Sequence, residues 1–271
     1  MLTKFCILLF IIGTINGFKI RKANSGNNSL QRLPSRISNS TFSAFILNGR
    51  PADIENYPFK LAMYQFGEFF CGATVISQKW SLTAAHCLES HVSPEHITLT
   101  GGSSNRLIGG VTFIVEEYFL HPNYDPIILD YDAAVMRIKG SFNGNNIRPV
   151  VLANEGCETT SGLEVKLAGW GQNELEIFPE ELYEIKQTII DNKRCYEEWE
   201  GDITDRMMCA DVVDKIDSCY GDSGGAVMKN GCLQVGIISF GSFNCGYPIP
   251  SVFTRIENRE IRQFIRKHTG V

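Results

Sequence analysis

A chain of 271 residues, 44% hydrophobic and 20% charged, carries enough apolar material for a sizeable core and can form one large domain or two small ones. Its formal charge of −5 argues against a nucleic-acid partner, because neutralising phosphates requires a basic surface. The charge places no constraint on fold.

In chain order, the first element is a targeting segment. Lys4 precedes an apolar run from Phe5 to Ile12, followed by Gly13, Thr14, Asn16 and Gly17. This is the shape of a signal peptide over residues 1–17. The run is far shorter than the roughly 20 apolar residues that span a bilayer, so no membrane anchor is expected. The reading implies a secreted, extracellular protein. Removing the segment also removes Cys6 and leaves Cys71, Cys87, Cys157, Cys195, Cys209, Cys219, Cys232 and Cys245. An even set in an exported chain points to disulfides. No Cys-x-x-Cys pair and no His-Glu-x-x-His pattern occurs, so no zinc site is expected.

Residues 18–45 are polar, rich in Ser, Asn, Arg and Lys, and read as an exposed pro-segment. Asn27-Asn28-Ser29 and Asn39-Ser40-Thr41 match the glycosylation acceptor pattern. From Ile46 the texture changes to short apolar or alternating runs separated by Gly, Asn, Pro and Asp. Strands are predicted around Thr74–Ile76, Ile97–Thr100, Val111–Val115, Asp132–Ile138, Val165–Ala168, Leu233–Ile238 and Val252–Ile256. Ile261, Phe264 and Ile265, at i, i+3 and i+4 between charged residues, predict one C-terminal helix. The class is all-β, a barrel or sandwich.

Three residues stand out chemically. A serine hydroxyl is a weak nucleophile at neutral pH and needs a neighbouring base. Histidine is the usual base, and a carboxylate must hold its imidazole in the productive tautomer. Ser223 lies in the tight run Gly221-Asp222-Ser223-Gly224-Gly225. His86 sits in Thr83-Ala84-Ala85-His86-Cys87, and Asp132 opens a buried-strand run. Each alone has an ordinary structural reading as a turn, a core residue or a strand boundary. Together, in the order His, Asp, Ser over a domain-sized span, they point to acyl transfer.

With Ile46-Leu47-Asn48-Gly49, Gly169-Trp170-Gly171, Asp217 to Gly225, Ser239-Phe240-Gly241 and Pro250 to Ile256, residues 46–271 resemble the chymotrypsin-family (trypsin-like) serine proteases. The resemblance implies two six-stranded antiparallel β-barrels with the site in the cleft between them. It makes Ser223 the acylating nucleophile, His86 the general base and then acid, and Asp132 the orienting carboxylate. The N–H groups of Gly221 and Ser223 would form an oxyanion hole. Ser239 would support Asp132, and Ser239 to Gly241 would pair with extended substrate backbone. Cys71–Cys87, Cys195–Cys209 and Cys219–Cys245 are the implied disulfides, leaving Cys157 and Cys232 to pair by elimination. Val165 and Lys229 stand where a further common cysteine pair would be.

The resemblance also implies maturation by cleavage before Ile46, whose new ammonium would pair with Asp222, so the uncleaved chain is expected to be inactive. The preceding residue is Phe45, not Arg or Lys, and Arg36-Ile37 is a tryptic-looking bond upstream. Asp217 corresponds to the base of a pocket for Arg or Lys side chains. Ser251 and Phe240 replace the glycine and tryptophan common on its walls, which keeps a restricted or chymotrypsin-like preference open. An inactive homologue acting as a binding module is the rival from another class. No cofactor is expected, and Gly101 to Asn105 lacks the carboxylates of a calcium loop. The expected partners are polypeptide substrates, an activating protease and protein inhibitors, with the protein itself a monomer.

Overall fold

Residues 48–173, 177–231 and 233–271 are described by the computed structural model. The expected signal peptide and pro-segment, Ile46 and Cys232 lie outside these residues.

Side-chain alternation shapes the N-terminal half. After the short strand β1 (Arg50–Pro51) come β2 (Lys60–Gln65), β3 (Glu68–Val75), β4 (Trp80–Thr83), β5 (Ile97–Gly101), β6 (Val111–Leu120) and β7 (Ala134–Ile138). Ile97 and Leu99 on β5, and Phe113 and Val115 on β6, turn inward while their neighbours face out. All pairings are antiparallel, and the strands close into a six-stranded barrel in the order β2-β3-β4-β7-β6-β5. Asp132, expected to open β7, lies just ahead of it, so its side chain is set by the loop and not by the ladder.

The second half contains β8 (Val151–Leu152), β9 (Glu164–Gly169), β10 (Tyr183–Thr188), helix α1 (Asn192–Glu198), β11 (Met207–Ala210), β12 (Ala226–Lys229), β13 (Leu233–Phe240), β14 (Ser251–Arg255) and helix α2 (Arg259–Thr269). The main path runs β10-β9-β12-β13-β14-β11. It returns on itself where Ile190 N–H donates to the Cys209 carbonyl and Asp211 N–H to that of Thr188, both at 2.9 Å. This closes a second six-stranded barrel, with β1 on its β10 edge and β8 joined in parallel to β13. Full closure leaves no long unpaired edge.

Helix α2 is capped by Asn258, whose side chain accepts from the N–H of Glu260 and Ile261, and ends at Gly270 in the left-handed region (φ 75°). Ile261, Phe264 and Ile265 are buried, as the periodicity predicts. Helix α1 was not expected. Of its seven residues only Cys195 is buried, so its sequence has no apolar stripe to read. Asp191 caps it through Arg194 N–H, and the Cys195–Cys209 disulfide ties it to β11.

The two barrels are held together by polar contacts as well as by the core. Gly72 N–H donates to the Ser223 carbonyl (2.7 Å), Thr254 Oγ1 to the Asp132 carbonyl (2.8 Å), and Trp170 Nε1 to the Ser104 carbonyl (2.8 Å). Arg206 grips Asp130 with both Nε (3.0 Å) and Nη2 (2.6 Å). The fork-on-carboxylate geometry fixes direction as well as charge. No helix among the described residues is long and apolar enough to cross a membrane.

Candidate active site

Strand β4 ends at Thr83, whose hydroxyl donates to the Gly72 carbonyl (2.8 Å) and so pins the segment that carries His86. The Cys71–Cys87 disulfide anchors the same segment to β3. His86 N–H donates to Asp132 Oδ1 and the ring Nδ1 to Asp132 Oδ2, both at 2.8 Å. A carboxylate can only accept, so Nδ1 bears the proton and Nε2 of the neutral ring keeps its lone pair, with Cys87 Sγ 3.7 Å away. Ser239 Oγ donates to the same Oδ2 at 2.6 Å. Asp132 is fully buried and thus held from three sides. Burial of the imidazole disfavours its charged form, but the Asp132 carboxylate outweighs this and raises the His86 pKa.

Ser223 lies in the loop between β11 and β12 and opens onto the cleft that contains His86. No hydrogen bond joins Ser223 Oγ to His86 Nε2. The N–H groups of Gly221 and Ser223 donate to no protein acceptor among the described residues, so two donors remain available for a developing oxyanion. The turn needs glycine at two places. Gly221 has φ 91° and Gly224 φ 78°, and a Cβ on Gly224 would collide with Thr83 Oγ1 and the Gly72 carbonyl.

The cleft has a volume of 520 Å³, and Gly241 and Phe240 form part of one wall. Phe69 and Phe178, edge to face at 5.5 Å, form an apolar wall beside Gly221. Asp217 is 1% exposed. Its Oδ1 accepts from Ser251 Oγ (2.6 Å) and its Oδ2 from Gly246 N–H (2.9 Å), while Gln187 Nε2 donates to Ser251 Oγ (3.0 Å). All these donors are neutral, and Asp217 makes no ion pair among the described residues. Burial accordingly raises its pKa, even though the hydrogen bonds pull the other way. Asp217 and Ser251 do not themselves line the cleft, which is lined by the neighbouring Ser218, Cys219 and Cys245, and the Cys219–Cys245 disulfide ties these segments together.

Asp222 is buried behind the Ser223 turn, where it accepts from Gly171 N–H (2.9 Å) and Cys219 N–H (3.0 Å). Burial raises its pKa, and the nearby Lys60 opposes that rise. Ile46 lies outside the described residues. Sequence reasoning missed Lys60, Gln187 and the Phe69–Phe178 wall. A lysine opening an apolar strand, a phenylalanine in β3 and another in a loop carry no motif, and only tertiary packing shows what they face.

Cys71, His86 and Cys87 cluster closely enough to suggest a metal, but the two sulfurs are bonded to each other and are not free ligands. Cys157 packs against the core, and Cys232, the partner expected for it, lies outside the described residues.

Comparison with known proteins agrees with this geometry. The family model described as Trypsin matches residues 46–265. Trypsin 5G1 of Aedes aegypti is 27% identical over 277 residues, covering 98% of this chain and 99% of the relative. Trypsin Blo t 3 of Blomia tropicalis is 32% identical, covering 79% and 83% respectively. Among solved structures, neuropsin, a serine protease expressed in the limbic system of mouse brain, superposes with a TM-score of 0.75 at 30% identity, over 82% of this chain and 99% of that one. On the strength of its barrels, its cleft and these matches, the chain belongs to the trypsin family of serine proteases.

Proposed function

We propose that the chain is a secreted serine endopeptidase that cuts polypeptides after Arg or Lys through an acyl-enzyme on Ser223. The observation that carries this reading is the His86–Asp132–Ser239 array, which leaves Nε2 of the neutral ring unprotonated in a cleft that Ser223 also lines. In the reaction Ser223 Oγ attacks the scissile carbonyl carbon while His86 Nε2 takes the hydroxyl proton. The carbonyl oxygen becomes an oxyanion and accepts from the N–H groups of Gly221 and Ser223; each such donor is worth about 3–4 kcal/mol of barrier. The imidazolium then gives its proton to the leaving amine. Water repeats the sequence to free the acid and restore Ser223.

Asp217 supports the basic preference. A buried carboxylate satisfied only by neutral donors gains from an incoming guanidinium or ammonium, which supplies the missing opposite charge. Ser251 favours a second reading of restricted or mixed preference, because its hydroxyl already occupies Asp217 Oδ1. The test is kcat/KM on peptides that differ only in Arg, Lys, Phe or Leu at the cleaved position. Higher values for Arg and Lys are expected, and a clear preference for Phe or Leu would overturn the basic preference.

Maturation by release of Ile46 fits the start of the family match at residue 46 and the buried Asp222 that its ammonium would reach. Residues 1–17 and 18–45 are then the signal peptide and pro-segment, and sequencing of active protein should begin at Ile46. Protein substrates, an activating protease and protein inhibitors are the partners this reading implies, and Cys157 with Cys232 remains a candidate fourth bond.

A further inference from the structure

Lys60, at the start of β2, is the largest charged side chain with almost no solvent exposure, 2%. It does not reach out to water along its stem. Its Nζ points into the junction of the two barrels and has no hydrogen-bond partner among the described residues. Three backbone positions make room for it. A Cβ on Gly72 of β3 would come within 2.8 Å of Nζ, one on Gly225 within 2.6 Å, and one on Gly169 of β9 within 3.5 Å. The same missing Cβ at Gly169 leaves space for the Asp222 carboxylate, so ammonium and carboxylate share one glycine-lined chamber without touching. The Trp170 ring lies 5.9 Å from Nζ and offers its face. Among the described residues Asp222 is the one titratable group whose charge acts on Lys60, and Asp222 makes no direct ion pair of its own.

An unpaired ion in so dry a place is costly, and each of these two offsets the cost of the other. Asp222 holds the Gly171 and Cys219 N–H groups and so fixes the backbone that presents the N–H groups of Gly221 and Ser223. If the pro-segment is still attached, no ammonium exists at Ile46, yet Asp222 still has a cation nearby. We propose that Lys60 is a built-in counter-ion for Asp222, a positioning residue that keeps the Gly221–Ser223 turn in its reactive shape in part of the uncleaved population. The inference rests on the serine-peptidase reading above and revises the expectation that the uncleaved chain is inactive. Release of Ile46 then adds a second cation to an arrangement already partly formed.

Burial lowers the Lys60 pKa to about 8, with Asp222 acting against the fall. The ammonium is therefore present below that pH and lost above it. Activity that depends on Lys60 declines as pH rises through about 8.

The experiment compares rates of Ser223 labelling by a fluorophosphonate probe in two forms of the full chain. One is kept uncleaved by Ile46→Pro, and the other is released at Ile46 through an enteropeptidase site placed ahead of it. Each is made with Lys60, Lys60→Met and Lys60→Gln, and thermal melting confirms that each variant is folded. The uncleaved Lys60 chain is expected to label slowly but measurably, with a rate that declines above about pH 8. Both substitutions should slow the uncleaved chain at least about tenfold and remove that decline, while leaving the cleaved chain within about threefold. An uncleaved Lys60 chain that does not label while its cleaved form does would overturn the proposal. So would equal slowing of both forms, which marks a purely structural role, or no slowing of either. A cleaved Lys60 chain that fails to label would instead overturn the peptidase reading, and this inference with it.

Discussion

Replacing Asp217 by Asn separates charge recognition from folding. Asn keeps the shape of the side chain, its oxygen can still accept from Gly246 N–H at the present 2.9 Å, and the Ser251 hydroxyl can rotate to accept from the new amide. What disappears is a negative charge that is 1% exposed and has only neutral partners. For a bound Arg or Lys the variant leaves a buried cation unpaired, a loss of about 3–5 kcal/mol. At about 1.4 kcal/mol per decade that is a fall of roughly 10²-fold to several thousand-fold in kcat/KM for basic substrates. Peptides with Leu at the cleaved position make no such pair and should change little. Stability should move the other way. The raised Asp217 pKa means that its ionised form is disfavoured in the folded state, so the neutral amide should leave Tm unchanged or higher at pH 7. The assay is kcat/KM for matched Arg and Leu peptides on both enzymes, with a thermal melt of each. An equal fall for both peptides, or no fall for Arg, would refute the assignment of Asp217 to charge recognition.

Two further outcomes follow from the same geometry. Because Asp132 raises the His86 pKa and the base must be neutral to act, kcat/KM should fall on the acid side through a midpoint above 6.5. A pH–rate profile on an uncharged ester checks this, and a midpoint below 6.5 would contradict it. Gly224→Ala places a Cβ against Thr83 Oγ1 and the Gly72 carbonyl at φ 78°, so a destabilisation of more than about 1–2 kcal/mol is expected together with loss of Ser223 labelling. Denaturant melts and probe labelling read the two effects separately.

Much of the fold was legible because its signals are local. Ile97–Thr100 and Val111–Val115 alternate over a half-buried surface, and the Ile261, Phe264, Ile265 spacing marks one helical face. The candidate site residues were proposed from short runs such as Gly221 to Gly225, where tight geometry restricts residue choice. Features set by distant contacts were not. Helix α1 is held by a disulfide and a capping aspartate, with no apolar stripe of its own. Asp217 reads as a pocket residue, but its capping by Ser251 becomes visible only once β14 is placed beside it. Lys60 offers the sharpest case, since in sequence it is one lysine between Phe59 and Leu61. Its meaning depends on three glycines drawn from β3, β9 and the Ser223 loop, and on an aspartate far along the chain.

The central claim is that Ser223 becomes an acylating nucleophile through His86. The most direct measurement treats the chain released at Ile46 with a fluorophosphonate probe and locates the adduct by peptide mass spectrometry, alongside His86→Ala and Ser223→Ala. A single adduct on Ser223, lost in Ser223→Ala and strongly slowed in His86→Ala, is the predicted result. Absence of an adduct, an adduct elsewhere, or labelling indifferent to His86 would contradict the account.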